Sequence, residues 1–222
     1  MRRLALFARR PAAGEVKTRL SPAVPAALAF DLYRALLDDA IALTARAEAD
    51  ERFLYWAGAS AAEGGPALPP EFLEREQQGR GLGERIERAF DELIASATDR
   101  AVIVGADCPG LEAPAIGAAF AALGSHDAVL GPARDGGYYL VGLRRPAPSL
   151  FRGIDWGSPR VLDQTLERAK RAGLSAALLH PLDDLDMPAD LLRWIASRAA
   201  GGGPREPRAL DEALRAIGLL PP

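Results

Sequence analysis

The sequence predicts a layered α/β domain, with helices on both faces of a mostly parallel sheet. Short apolar runs recur along the chain, as in Ala101-Val-Ile-Val-Gly105 and Tyr138-Tyr-Leu-Val-Gly-Leu143. Bounded by turn residues and rich in branched side chains, such runs fit buried strands. Between them lie segments with apolar residues at helical spacing, such as Leu82, Ile86, Ala89, Phe90, Leu93 and Ile94. The two kinds of segment alternate, and that alternation is the pattern of a three-layer α/β/α fold.

Taken in order, Leu4–Ala8 reads as a first buried strand, followed by a basic loop from Arg9 to Leu20. Ser21-Pro22 and Pro25 announce a helix, and Leu28, Leu32, Leu36 and Ala40 carry its apolar face to about Ala49. A strand is expected at Arg52–Ala57, then a loop rich in Gly, Ala and Pro from Gly58 to Pro70. The Gln77–Arg85 loop opens into the Leu82–Ile94 helix, and the strand 101–105 and a helix at Ala113–Leu123 follow. Strands at Asp127–Gly131 and Tyr138–Leu143 are joined so briefly, through Asp135-Gly136-Gly137, that an antiparallel pair is expected. Ser158-Pro159 stands where a cap and first helical residue belong, and that helix runs to about Ala172. A strand at Ser175–Leu179, an acidic loop at Pro181–Pro188 and a helix to about Ala200 complete a single domain over residues 1–200. Residues 201–222 read as a Gly/Pro linker and a short amphipathic helix carrying Leu210, Ala213, Leu214 and Ile217.

Composition narrows the function. At 222 residues the chain is long enough for one sizeable core. A net charge of −3 gives no reason to expect a nucleic-acid partner. The first apolar run stops at Arg9-Arg10-Pro11, too short for a membrane span, and no later run reaches 18 residues. A single cysteine forbids an intramolecular disulfide, and the expected compartment is the reducing cytoplasm.

The candidate site is organised around Asp107. A carboxylate at the end of a buried apolar strand must find a partner, and ligands of open α/β sheets bind outside the carboxyl ends of the strands. Asp107 is therefore read as a ligand for Mg²⁺ or Mn²⁺, cations that use few protein carboxylates and complete their shell with phosphates and water. Asp183, Asp184 and Asp186 offer a second carboxylate. Asp186, just before Met187-Pro188, is equally placed to cap a helix or to join the metal. Lys17 and Arg19 put an ammonium and a guanidinium after the first strand, a combination suited to a di- or triphosphate. Gly81, Leu82 and Gly83 offer free backbone N–H groups at a helix start, where anions are favoured, and Gln78 is placed to bond a base or ribose. Asp135 lies beside two glycines that either make a tight turn or let a substrate approach the main chain. No basic partner activates Cys108 as a nucleophile.

Five segments in order carry a family resemblance. They are Pro11-Ala-Ala-Gly-Glu-Val-Lys-Thr-Arg-Leu20, Gly81-Leu-Gly-Glu-Arg85, Gly105-Ala-Asp-Cys-Pro-Gly-Leu111, Gly131-Pro-Ala-Arg-Asp-Gly-Gly-Tyr138 and Asp184-Leu-Asp-Met-Pro188. The chain resembles the bacterial glycosyltransferase-A-like group of arsenosugar-biosynthesis-type glycosyltransferases. That group is similar to the guanylyltransferases acting on 2-phospho-lactate and on molybdenum cofactor. The resemblance implies the nucleotide-diphospho-sugar transferase (GT-A, Rossmann-like) fold, with a nucleotide or nucleotide-sugar at the ends of the first strands. It also implies a divalent metal at Asp107, helped by Asp186, and a small-molecule acceptor. The expected function is metal-dependent transfer from a nucleotide-diphosphate sugar, with Lys17 and Arg19 on the leaving group and Asp135 on the acceptor hydroxyl. The alternatives are nucleotidyl transfer from an NTP with release of pyrophosphate, and a non-catalytic nucleotide-binding module. Sugar transferases of this fold carry Asp-x-Asp, whereas here Cys108-Pro109 follows Asp107. Nucleotidyltransferases carry a first loop richer in glycine than Arg9–Glu15. Base, sugar, acceptor and oligomeric state are left open.

Overall fold

The computed structural model describes residues 1–20, 24–58, 66–204, 206 and 208–221. The helix-start signal at Ser21-Pro22 and the middle of the 58–70 loop lie outside the described residues. The elements are β1 (Arg2–Arg9), α1 (Ala26–Arg46), β2 (Glu51–Ala57), β3 (Phe72–Glu76), α2 (Leu82–Leu93), β4 (Arg100–Gly105) and α3 (Ala113–Ala122). They continue with β5 (Ala128–Pro132), β6 (Tyr138–Leu143), α4 (Val161–Arg171), β7 (Ala176–Leu178), α5 (Pro188–Ala199) and α6 (Ala209–Ala216).

The seven strands form one sheet in the order β3-β2-β1-β4-β6-β5-β7. β6 runs antiparallel to both its neighbours, β4 and β5, and every other pair is parallel. The mostly parallel three-layer fold is as the sequence predicts. β3 was not expected. Of its residues only Phe72 is buried, and Leu73, Glu74, Arg75 and Glu76 are exposed, so no alternation marks it. Its pairing with β2 at the sheet edge, from Arg52↔Phe72 to Trp56↔Glu76, makes it a strand; the charges there also protect the edge from further pairing. α4 begins at Val161, two residues later than Ser158-Pro159 suggests. The reason is tertiary: Pro159 packs its backbone against Gly136, where any side chain would meet the Pro159 carbonyl at 2.1 Å.

Strand alternation sorts the core into two layers. Leu4, Leu6 and Ala8 of β1 join Val102 and Val104 of β4 in one cluster, packed with Tyr33, Leu37 and Ile41 of α1 and Ile116, Ala119 and Phe120 of α3. Ala5, Ala101, Ile103 and Val141 face the other way, against Ile86, Phe90 and Leu93 of α2 and Ala169 of α4. A third cluster joins Leu32 and Leu36 of α1 to Leu191 of α5 and to Leu210 and Leu214 of α6. α6 thus lies on the body. Asp39 of α1 accepts hydrogen bonds from the N–H groups of Ala209 (2.7 Å) and Leu210 (3.1 Å), and Arg208 donates to the Leu111 carbonyl at 2.8 Å. Among the described residues no helix is long and apolar enough to cross a membrane.

β2 and β4 flank β1 on opposite sides, so the chain reverses its direction of progress across the sheet between β1 and β4. That switch point opens a crevice beyond the carboxyl ends of the two strands. Lys17 follows β1, and Asp107 follows β4.

Candidate functional site

The loop after β1 is shaped by Val16, which is buried in the core cluster beneath α1 and α3, and by a turn in which Leu20 N–H bonds the Lys17 carbonyl at 3.0 Å. Between them Lys17 takes φ 50°, making it the one non-glycine residue with positive φ among the described residues. A residue with a Cβ pays about 1 kcal/mol to sit there. The side chain turns inward and is 3% exposed. Its ammonium donates to Asp107 Oδ1 and to the Leu185 carbonyl (2.6 Å), and lies 3.8 Å from Asp186 Oδ1. Arg19 is exposed and donates to Asp186 Oδ2 at 3.0 Å.

The acidic loop between β7 and α5 is tied to β4 by its main chain, because Leu185 N–H bonds the Asp107 carbonyl at 2.8 Å. The structure separates the two roles the sequence offers Asp186. The open start of α5 is capped by Asp190, whose Oδ2 accepts from the N–H groups of Asp186 (3.0 Å) and Met187 (2.6 Å). Asp186 is therefore spared from capping, and its carboxylate faces Lys17 and Arg19. Lys17, Arg19, Asp107 and Asp186, spread over 170 residues, meet at one point of the crevice.

Asp107 and Asp186 are 56% and 34% exposed, and both reach the position of one ammonium. A small hard cation at that point would find two carboxylate donors, and phosphate oxygens and water would complete its shell. The donor set fits Mg²⁺ or Mn²⁺ in that sense. Among the described residues no group of three or more His, Cys, Asp or Glu side chains is arranged to hold a metal without help from a ligand.

The β5–β6 loop reaches the same rim of the sheet, since β5 runs parallel to β7 and the isolated pair Ala133↔Leu182 joins it to the acidic loop. Asp135 is exposed there, and its Oδ1 accepts from Gly137 N–H at 2.8 Å, the turn role that the sequence allows. Asp184 is the residue that the sequence underrates. Its carboxyl is pushed up to about 6, first by burial, then by the charges of Asp135 and Asp190. Being one of three neighbouring aspartates, it carried no signal separating it from Asp183 or Asp186.

The Gln77–Gly83 segment lies at the ends of β1, β2 and β3. Gln77 anchors it, donating to the carbonyls of Tyr55 (3.0 Å) and Ala8 (3.3 Å). Gln78, Gly81 and Leu82 are exposed at the mouth of this loop. The first N–H groups of α2 have no partner within the helix, so they are available to an anion. Gly83 has a packing reason of its own: a Cβ would lie 2.4 Å from the Phe151 carbonyl and 2.7 Å from the Trp156 indole nitrogen.

Two other features are excluded by their chemistry. Burial pushes the Cys108 thiol up to about 12, and its Sγ contacts the Asp183 carbonyl at 3.3 Å, so it is no nucleophile at neutral pH. A groove of about 730 Å³ at the opposite, amino end of the sheet is lined by Arg2, Arg46, Arg52 and Arg100. Arg52 and Arg100 spend their guanidiniums on main-chain carbonyls, and Arg2 and Arg46 pair with Glu48 and Glu206.

With this geometry in view, the chain is similar to a candidate nucleotide-diphospho-sugar transferase from Desulfovibrio desulfuricans G20. The two share 31% identity over 98% of this chain and 96% of that one, with a TM-score of 0.87. More distant likenesses show the fold alone. One is a CMP:2-keto-3-deoxy-manno-octonic acid synthetase solved with CTP, at 11% identity over 90% of this chain and 99% of that one, with a TM-score of 0.53. Another is a 4-diphosphocytidyl-2C-methyl-D-erythritol synthase, at 14% identity over 87% and 97%, with a TM-score of 0.54. No curated protein sequence matches the chain. A family model described as "Uncharacterized protein conserved in bacteria (DUF2064)" matches residues 36–158.

Proposed function

The chain belongs to the bacterial DUF2064 family, and for this member we propose a metal-dependent transferase acting on a nucleotide-diphosphate-activated sugar. One observation carries the reading: two cations and two carboxylates from three separate chain segments converge at the switch point of the sheet. A purely structural ion cluster has no need of so open a place. Asp107 and Asp186 would hold Mg²⁺ or Mn²⁺, which when bound neutralises charge on the diphosphate. Lys17 and Arg19 would hold the phosphate oxygens and stabilise the negative charge that builds on the leaving group. The N–H groups at Gly81, Leu82 and Gly83 would face the same anion, and Gln78 would meet the base or ribose. Asp135 would orient the acceptor hydroxyl or take its proton. The motifs shared with arsenosugar-biosynthesis-type glycosyltransferases favour a sugar as the transferred group, with a small-molecule acceptor.

A second reading keeps the site and reverses the roles, so that a phosphorylated acceptor attacks an NTP and pyrophosphate leaves. Pro109, standing where Asp-x-Asp would place a second aspartate after Asp107, favours it. Incubation with Mg²⁺ or Mn²⁺, panels of NTPs and NDP-sugars, and sugar and sugar-phosphate acceptors separates the two. Release of nucleoside diphosphate from one NDP-sugar is the expected result. Pyrophosphate from an NTP establishes the second reading instead. Tight nucleotide binding without turnover of any substrate, against the whole panel, would leave a binding module.

A further inference from the structure

The four charged groups that converge here already balance one another without any ligand. Asp107 and Asp186 contribute two negative charges, Lys17 and Arg19 two positive ones, and each carboxylate has its own cation within hydrogen-bonding distance. Yet Lys17 holds the spot where the two carboxylates converge, and the same ammonium is wanted by phosphate. It cannot serve both. Building on the transferase reading above, we propose that Lys17 is an exchangeable cation. It occupies the divalent metal's place in the resting site, and moves to the diphosphate when the metal takes over Asp107.

Three features suit Lys17 to an exchange rather than to a permanent latch. Its carboxylate partner is more than half exposed, so a competing cation and its water can reach Asp107 from solvent. The acidic loop does not depend on the ammonium alone, because Leu185 N–H to the Asp107 carbonyl holds it to β4 when the side chain leaves. The backbone at φ 50° has restraints of its own in the Leu20 turn and the burial of Val16, so the ion pair is not all that holds the loop.

The charge count fixes the consequence. A divalent cation arriving alone must displace Lys17 and leaves two unpaired cations beside it, a repulsive arrangement at such short range. A diphosphate arriving alone finds Lys17 committed to Asp107. Arriving together, metal and diphosphate satisfy the charges of all four groups. Metal and nucleotide therefore bind with positive coupling, and by linkage each raises the other's affinity by the same factor.

Lys17→Met separates an exchangeable cation from a latch, because the two predict opposite signs. Binding of Mn²⁺ alone, followed by loss of the free-ion paramagnetic signal, tightens by about tenfold in the variant as the competing charge disappears. Binding of pyrophosphate alone in EDTA weakens. Unchanged or weaker Mn²⁺ binding by a folded Lys17→Met protein overturns the inference. If that variant does not fold, Asp107→Asn puts the converse question. Held by a neutral amide in place of the carboxylate, Lys17 is freer to turn to phosphate and should tighten metal-free pyrophosphate binding several-fold, and no change overturns the inference equally. The wild-type protein keeps the two levels apart. If it binds Mn²⁺ with none of the NTPs or NDP-sugars, the transferase reading itself fails; if that binding is present and Lys17→Met is neutral, only the exchange fails.

Discussion

The two ends of β4 each carry an aspartate, and the pair contrasts a carboxylate saturated with partners with one left open. Asp99, just before the strand, is buried and takes hydrogen bonds from four groups. They are Arg3 Nη1 at 2.8 Å, the Met1 amino group at 3.2 Å, and the N–H groups of Ser96 and Ala95 at 2.8 and 3.1 Å. Its oxygens are spent. Asp107, just after the strand, is held among the described residues by Lys17 alone, through one of its two oxygens. Burial by itself would raise the Asp99 carboxyl, but the amino terminus, Ser96 and Arg3 outweigh it and hold the group at about 2. Saturation fixes the first aspartate; incomplete coordination marks the second.

Substituting both ends by asparagine tests that contrast. Asp107→Asn leaves an amide oxygen for the Lys17 ammonium, so Tm should move by no more than about 2 °C. Metal-dependent nucleotide binding should fall by roughly a hundredfold or more, the largest effect expected in this protein. A drop in Tm with binding intact would make Asp107 one more structural ion pair. Asp99→Asn should do the reverse: Tm falls by several degrees at pH 7, while the remaining folded protein binds nucleotide normally. Because the folded state depresses the Asp99 carboxyl, its contribution is present above pH 4 and is lost as pH falls towards 2. The acid limb of a Tm-against-pH curve should therefore flatten in Asp99→Asn.

The contrast was half legible in the sequence. Asp107 stood out because an uninterrupted apolar run delivers a charge to the end of a buried strand, and local pattern is enough to see that. Its pairing with Lys17 spans 90 residues and depends on β1 and β4 being neighbours, which no local pattern encodes. The cap of α5 was misassignable for the opposite reason. Asp186 and Asp190 are both local candidates, and only the observed geometry of the turn shows Asp190 reaching back to the open N–H groups. β3 escaped because its edge position leaves four of its five side chains in solvent. Strand identity there comes from the partner. Elsewhere, as in β4 and α2, burial wrote the element's period into its own residues.

A third carboxylate sharpens the comparison with the smallest effect. Asp39 is buried like Asp99 but accepts only two backbone N–H groups, those that open α6, so burial prevails over Ala209 and Leu210 and its carboxyl is raised. The sign of its pH dependence is then opposite to that of Asp99. A folded-state value above the unfolded one contributes stability that is fully present below the unfolded value, near pH 4, and fades as pH rises through the folded value. On acidification Asp39 gains what Asp99 loses. Asp39→Asn keeps one acceptor oxygen, loses the other hydrogen bond and relieves the buried charge, so it should cost no more than about 1 kcal/mol at neutral pH, or at most roughly 3 °C in Tm for a chain of this size. It should steepen the acid limb that Asp99→Asn flattens. If both substitutions bend the limb the same way, the number of donors around a buried carboxylate is not what decides its behaviour in this fold. If they bend it oppositely, two buried aspartates will have been told apart by the hydrogen bonds and charges around them.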